Sequence, residues 1–135
     1  MKIKIICDKE RELNEFKNSL RKEFLKEEIS KKYKIKFVAK SSKDFDICLI
    51  ISNDLEFVYK NSYEFKSEES CNTGLIILTS NLRSANIIGC LNITPYVYYI
   101  KTKIDTIIFK IMRIYERNEK NNLYKVPVKN KKDSQ

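Results

Sequence analysis

The sequence predicts one α/β domain built on a five-stranded parallel sheet of order 2-1-3-4-5, with helices on both faces. Two observations carry this expectation: short, nearly continuous apolar runs, and amphipathic segments that alternate with them. Strands buried on both faces of a parallel sheet lose the polar alternation of a half-exposed strand. At 135 residues the chain has room for one core, and a domain of this size buries roughly 65–70% of the surface its unfolded form exposes.

Ile3, Ile5 and Ile6 make a first strand ending at Cys7. Asp8 follows, where a carboxylate accepts from the free amides of a helix start. Leu13, Phe16, Leu20 and Phe24 recur at spacings of three and four, which predicts a helix with one apolar stripe that fades near residue 30. Tyr33 to Ala39 alternates as a half-buried strand. Only Lys40-Ser-Ser-Lys-Asp44 separates it from the apolar run Phe45–Ile51, so the second helix is short or missing. Asn53 and Glu56 have capping-box spacing for a helix carrying Leu55, Val58, Tyr59 and Tyr63. A polar loop at 66–70 precedes a fourth strand, Leu75–Leu78, and residues 83–91 suit a short helix. Pro95–Ile100 forms a fifth strand. Thr102 and Asp105 cap a last helix whose Ile104, Ile107, Ile108, Ile111 and Tyr115 share a face. The domain is expected over 1–120, with 121–135 a lysine-rich frayed tail or linker.

Five strands with right-handed crossovers fit the flavodoxin-like order, whose functional crevice lies beyond the carboxyl ends of the strands. Asp8, Ile51, Thr79 and Lys101 fall at those ends.

Composition removes several function classes. With no histidine, Ser-His and Cys-His nucleophile pairs and mixed Cys/His zinc sites cannot be written. Two glycines, Gly74 and Gly89, leave no phosphate-cradling glycine loop. Cys7, Cys48, Cys71 and Cys90 are widely spaced and read as reduced, mostly buried thiols. No apolar stretch is long enough to span a membrane, and the start lacks the pattern of a signal peptide, so a cytoplasmic location is expected. The net charge of +9 concentrates at Lys31, Lys32, Lys34 and Lys36 and in segment 125–132. Such segments are either solvated lysines or a face for nucleic acid or another polyanion.

Four short motifs resemble the receiver domains of two-component response regulators, in particular the LytTR type. Ile6-Cys7-Asp8-Lys9-Glu10 resembles the family's Ile-Cys-Asp-Asp-Glu opening. Phe45-Asp46-Ile47-Cys48-Leu49-Ile50-Ile51 resembles its third strand, Ile76 to Asn81 its fourth with the switch threonine at Thr79, and Tyr98-Tyr99-Ile100-Lys101 its fifth, with a switch aromatic at Tyr98 and the pocket lysine at Lys101. The resemblance spans about residues 1–118. It implies signal transduction and transcription regulation by a phosphorelay, in which an aspartate ending the third strand accepts a phosphoryl group while acidic residues hold Mg²⁺.

The chain departs from that pattern at two places. Ile51 stands at the acceptor position, and Lys9 replaces the second acid. At 4 Å and an effective dielectric of 20, one such exchanged charge pair is worth about 4 kcal/mol. The Mg²⁺ site is therefore expected to be lost, with Lys9 standing between Asp8 and Glu10 as an internal cation. The resemblance then implies a pseudo-receiver that is no enzyme and acts by protein–protein contact or as a homodimer. In receivers the partner face is built from the fourth helix, fifth strand and fifth helix, here with Tyr96, Tyr98 and Tyr99. DNA would be reached through an output domain missing from this chain, or through the basic tail. A third reading, phosphotransfer or catalysis by Asp54, Asp8 or a cysteine, requires Asp54 to reach the crevice.

Overall fold

The computed structural model describes residues 1–26, 34–67, 74–80 and 96–133. It contains β1 (Lys2–Cys7), α1 (Glu10–Lys26), β2 (Lys36–Val38), β3 (Ile47–Ile51), α2 (Leu55–Ser67), β4 (Gly74–Thr79), β5 (Tyr96–Tyr99) and α3 (Ile104–Asp133). The five strands form one sheet of order β2-β1-β3-β4-β5, and every neighbouring pair is parallel. This is the predicted flavodoxin-like α/β arrangement. The expected helix at 83–91 lies outside the described residues, as do Lys31, Lys32, Cys71 and Cys90.

All five residues of β3 are buried, because helices cover the sheet on both sides. Ile3, Ile5, Ile47, Leu49, Ile51, Ile76 and Leu78 face α1 and α3, which supply Leu20 and Phe24, and Ile107, Ile108, Ile111 and Ile114. The opposite face, with Ile6, Cys48, Ile50, Leu75 and Ile77, receives Val58 from α2. This division follows from period-two alternation along each strand.

No helix joins β2 to β3. The connecting loop itself covers the sheet where one would sit. Phe45 is buried among Ile6, Cys48 and Ile50. The Lys4 ammonium donates to the Ser42 carbonyl at 2.9 Å and stands 4.8 Å from the Phe45 ring centroid. Lys2 binds Asp44 through its ammonium, while its amide donates to Asp46 Oδ2 at 2.7 Å. Two lysines pointing from an inner strand would leave charge stranded under a helix. Under a short loop they reach carbonyl and carboxylate partners at its rim.

Helices α2 and α3 both start one residue later than the expected capping boxes place them. Asp54, not Asn53, caps α2 by accepting from the Glu56 amide at 3.0 Å. Asn53 Oδ1 instead accepts from the Ser80 amide and hydroxyl, at 2.8 and 2.6 Å. At α3 the Lys103 carbonyl accepts the first helical bond, from Ile107, and Asp105 turns to the Thr106 amide at 2.7 Å. Helix α2 runs to Ser67, into the stretch expected as a loop. Helix α3 continues to Asp133, through the segment expected to be frayed. Its Lys, Glu and Leu content favours helix, no glycine interrupts it, and Pro127 removes one amide donor without ending it.

Gly74 opens β4 beneath Ile114 of α3. A Cβ placed there would overlap Ile114 Cγ2 and lie 3.2 Å from Ile47 Cδ1. The Ile114 branch is fixed by its helical rotamer, so it cannot swing aside cheaply. Gly74→Ala should therefore cost about 1–3 kcal/mol by overpacking. Urea denaturation checks this through a lowered midpoint at unchanged slope.

Cys48 is buried, and desolvation pushes its thiol from 9.0 up to about 12 against the opposing charge of Lys4. Between those values the unfolded chain has released this proton and the folded one has kept it. Stability conferred by this thiol is whole below pH 9.0 and drains away as pH rises toward about 12. The loss approaches about 1.4 kcal/mol per pH unit. Cys48→Ala should be less stable at neutral pH yet show a correspondingly shallower alkaline decline, measured by denaturant melts at stepped pH.

Candidate functional site

The candidate site is the carboxyl edge of the sheet, and strand register decides which side chains meet there. Cys7 pairs with Ile51, and Ile51 pairs with Leu78. One step further along, Asp8, Ser52 and Thr79 fall abreast, and the Ser52 amide continues the ladder by donating to the Leu78 carbonyl at 3.1 Å. Alternation turns all three toward the face covered by α2.

Ile51 is one row below. It is 4% exposed and belongs to the core under α1 and α3. The acceptor position inferred by counting from Asp46 thus names a core residue, and the polar side chain in the crevice row is Ser52. Sequence reading passed over Ser52, although it is the first polar residue after the apolar run and shares the parity of Cys48 and Ile50.

Ser52 is 2% exposed, and its hydroxyl is fully engaged. It donates to Asp8 Oδ2 at 2.8 Å and accepts from the Asp54 amide at 3.0 Å. A hydrogen bond to a carboxylate is stronger than one between neutral groups, so this contact ties the end of β1 to the turn entering α2. Asp8 accordingly serves β3 rather than capping α1. The first helical bond of α1 is accepted by the Lys9 carbonyl, from the Leu13 amide at 3.0 Å. That carbonyl also receives the Cys7 thiol at 3.4 Å. Burial raises the Cys7 thiol above its ordinary range, which leaves it a poor nucleophile at neutral pH.

The remaining expected members disperse. The Lys9 ammonium lies 3.9 Å from Glu12 along α1 and not between Asp8 and Glu10; both partners are exposed, so the pair adds little. Glu10 is exposed on the first turn of α1. Thr79 is buried, its carbonyl accepting from the Ile100 amide at 3.3 Å. Lys101 is exposed in the turn after β5. Asp54 is held at the N-terminus of α2.

Mg²⁺ asks for several oxygen donors converging at about 2.0–2.1 Å. Here Asp8 already holds the Ser52 hydroxyl, the next residue is a cation, and Asp54 faces a helix amide. Among the described residues no group of three or more acidic or cysteine side chains is placed to hold a metal.

On β5, Tyr96 and Tyr98 lean on the core beside α3, and Val97 turns outward. The Arg117 guanidinium donates to Tyr96 Oη at 3.2 Å, and the Lys110 ammonium stands 3.7 Å from the centroid of that ring. Of the basic segment 31–36, Lys34 and Lys36 are described and exposed. No helix among the described residues is long and apolar enough to cross a membrane. Comparison with family models, curated proteins and solved structures returns no match.

Proposed function

We propose that this chain is a receiver-like signalling module that works through contact with a partner protein and not through an aspartyl phosphate. The observation that supports this reading is the row Asp8, Ser52, Thr79 at the carboxyl edge of a 2-1-3-4-5 sheet. Phosphoryl acceptance by a carboxylate needs an aspartate in that row and acids beside it for the metal. In its place a serine hydroxyl closes onto Asp8, a lysine follows Asp8, and the Asp54 carboxylate is engaged by the first turn of α2. On this reading the polar groups of the edge bind one another in place of a phosphoryl group. Such a module is switched by whatever binds it.

An NMR titration tests this. Addition of Mg²⁺, alone and with beryllofluoride as a phosphoryl mimic, should leave the amide signals of Asp8, Ser52 and Thr79 in place. Saturable shifts at those three residues would return the crevice to the metal-dependent class.

A further inference from the structure

We infer that α3 carries a second binding surface, a cationic stripe for the phosphate backbone of duplex nucleic acid. This inference is independent of the receiver reading. Lys110, Arg113, Arg117 and Lys120 follow one another at spacings of three, four and three, so they line one side of the helix. They extend over about 15 Å at 1.5 Å per residue. None of the four forms an ion pair among the described residues.

The stripe is positioned by aromatic rings. Tyr96 holds Lys110 over its face and accepts from Arg117 through its hydroxyl, and the Arg113 guanidinium lies 5.6 Å from the Phe109 centroid. These contacts restrain the long side chains without neutralising them, so less freedom is lost when an anion arrives.

The helical backbone of α3 continues to Asp133. From residue 110 to 133 the helix contains eight Lys or Arg against three Asp or Glu, and Lys125, Lys129, Lys131 and Lys132 sit on the same rod as the stripe. Beyond Ile114, the last of its core residues, α3 continues for 19 residues, about 28 Å, and its ~10–12 Å diameter matches a major groove about 12 Å wide. Protein–protein interfaces are depleted in lysine, whereas protein–DNA interfaces are strongly positive. The composition favours nucleic acid over an acidic protein.

Fluorescence anisotropy with a labelled mixed-sequence duplex, across a series of salt concentrations, tests the inference on the full chain. The wild type should bind with steep salt dependence. The triple variant Arg113→Gln, Arg117→Gln, Lys120→Gln should weaken binding at least about tenfold, and its log–log salt slope should be shallower by up to about 2.7, near 0.9 per lost phosphate contact. Circular dichroism verifies that the variant is folded. The pair Lys34→Gln, Lys36→Gln, on exposed positions at the opposite edge of the sheet, should bind as the wild type does. Salt-insensitive binding, no binding at low salt, or equal loss in the Lys34 and Lys36 variant would overturn the inference. Tighter binding of poly-glutamate than of the duplex at equal charge and salt would assign the stripe to an acidic protein and overturn it too.

Discussion

Ile51→Asp should destabilise the domain by about 4 kcal/mol or more, a large part of the 5–15 kcal/mol typical of a folded domain. The side chain lies among Leu49, Leu78 and the residues of α1 and α3, with no polar partner within that cluster. A carboxylate there must either stay charged in an apolar medium or take up a proton at a cost that grows with pH. Ser52→Asp should cost less, about 1–3 kcal/mol, because the Asp54 amide that now donates to Ser52 Oγ can donate to the new carboxylate. Repulsion from Asp8 supplies most of that cost. Urea melts of the two variants side by side give the comparison. If Ser52→Asp were the less stable of the two, Ile51 and not Ser52 would be the residue that opens onto the crevice.

Ile111→Ala is expected to cost about 2–5 kcal/mol. Ile111 is fully buried at the centre of the contact between α3 and the sheet, in the same cluster as Leu20 and Phe24 of α1. Removing three carbons leaves a void bounded by a parallel sheet and two helices, which cannot close around it without moving an element. Phe109 provides the control two positions earlier on the helix. It is 62% exposed, so Phe109→Ala should change stability little. Similar losses at both positions would contradict the orientation of α3.

The sheet was legible because its strands are short apolar runs with polar breaks. Ile47–Ile51 and Gly74–Thr79 could hardly be anything but inner parallel strands, and right-handed crossovers leave few ways to order them. The missing second helix was equally plain, since five residues cannot form one. Less visible was how the loop compensates: that Lys2 and Lys4 would reach its rim depends on contacts with residues about forty positions away.

At the candidate site the motif residues fall at the carboxyl edge of the sheet, but Ile51 lies one row below Asp8, Ser52 and Thr79. Counting from Asp46 gives a position along the chain, whereas a crevice is defined by which face a side chain takes, and a shift of one residue changes the face. The parity of Ile47, Leu49 and Ile51 already assigned Ile51 to the core, leaving Ser52 as the polar residue on the other side. The capping residues were ambiguous for a related reason. Asn53 and Asp54 both precede a helix, and only the competing partner Ser80, distant in sequence, decides which of them caps it. The lysine-rich end of α3 has no such local signal, since one composition suits a solvated tail and an exposed helix alike.

The most direct measurement is the intact mass of the full chain after incubation with Mg²⁺ and acetyl phosphate. A crevice in which a serine hydroxyl meets Asp8 and no acceptor carboxylate is presented should leave the mass unchanged. A stable phosphoryl adduct mapped to Asp8 or Asp54 would contradict the account.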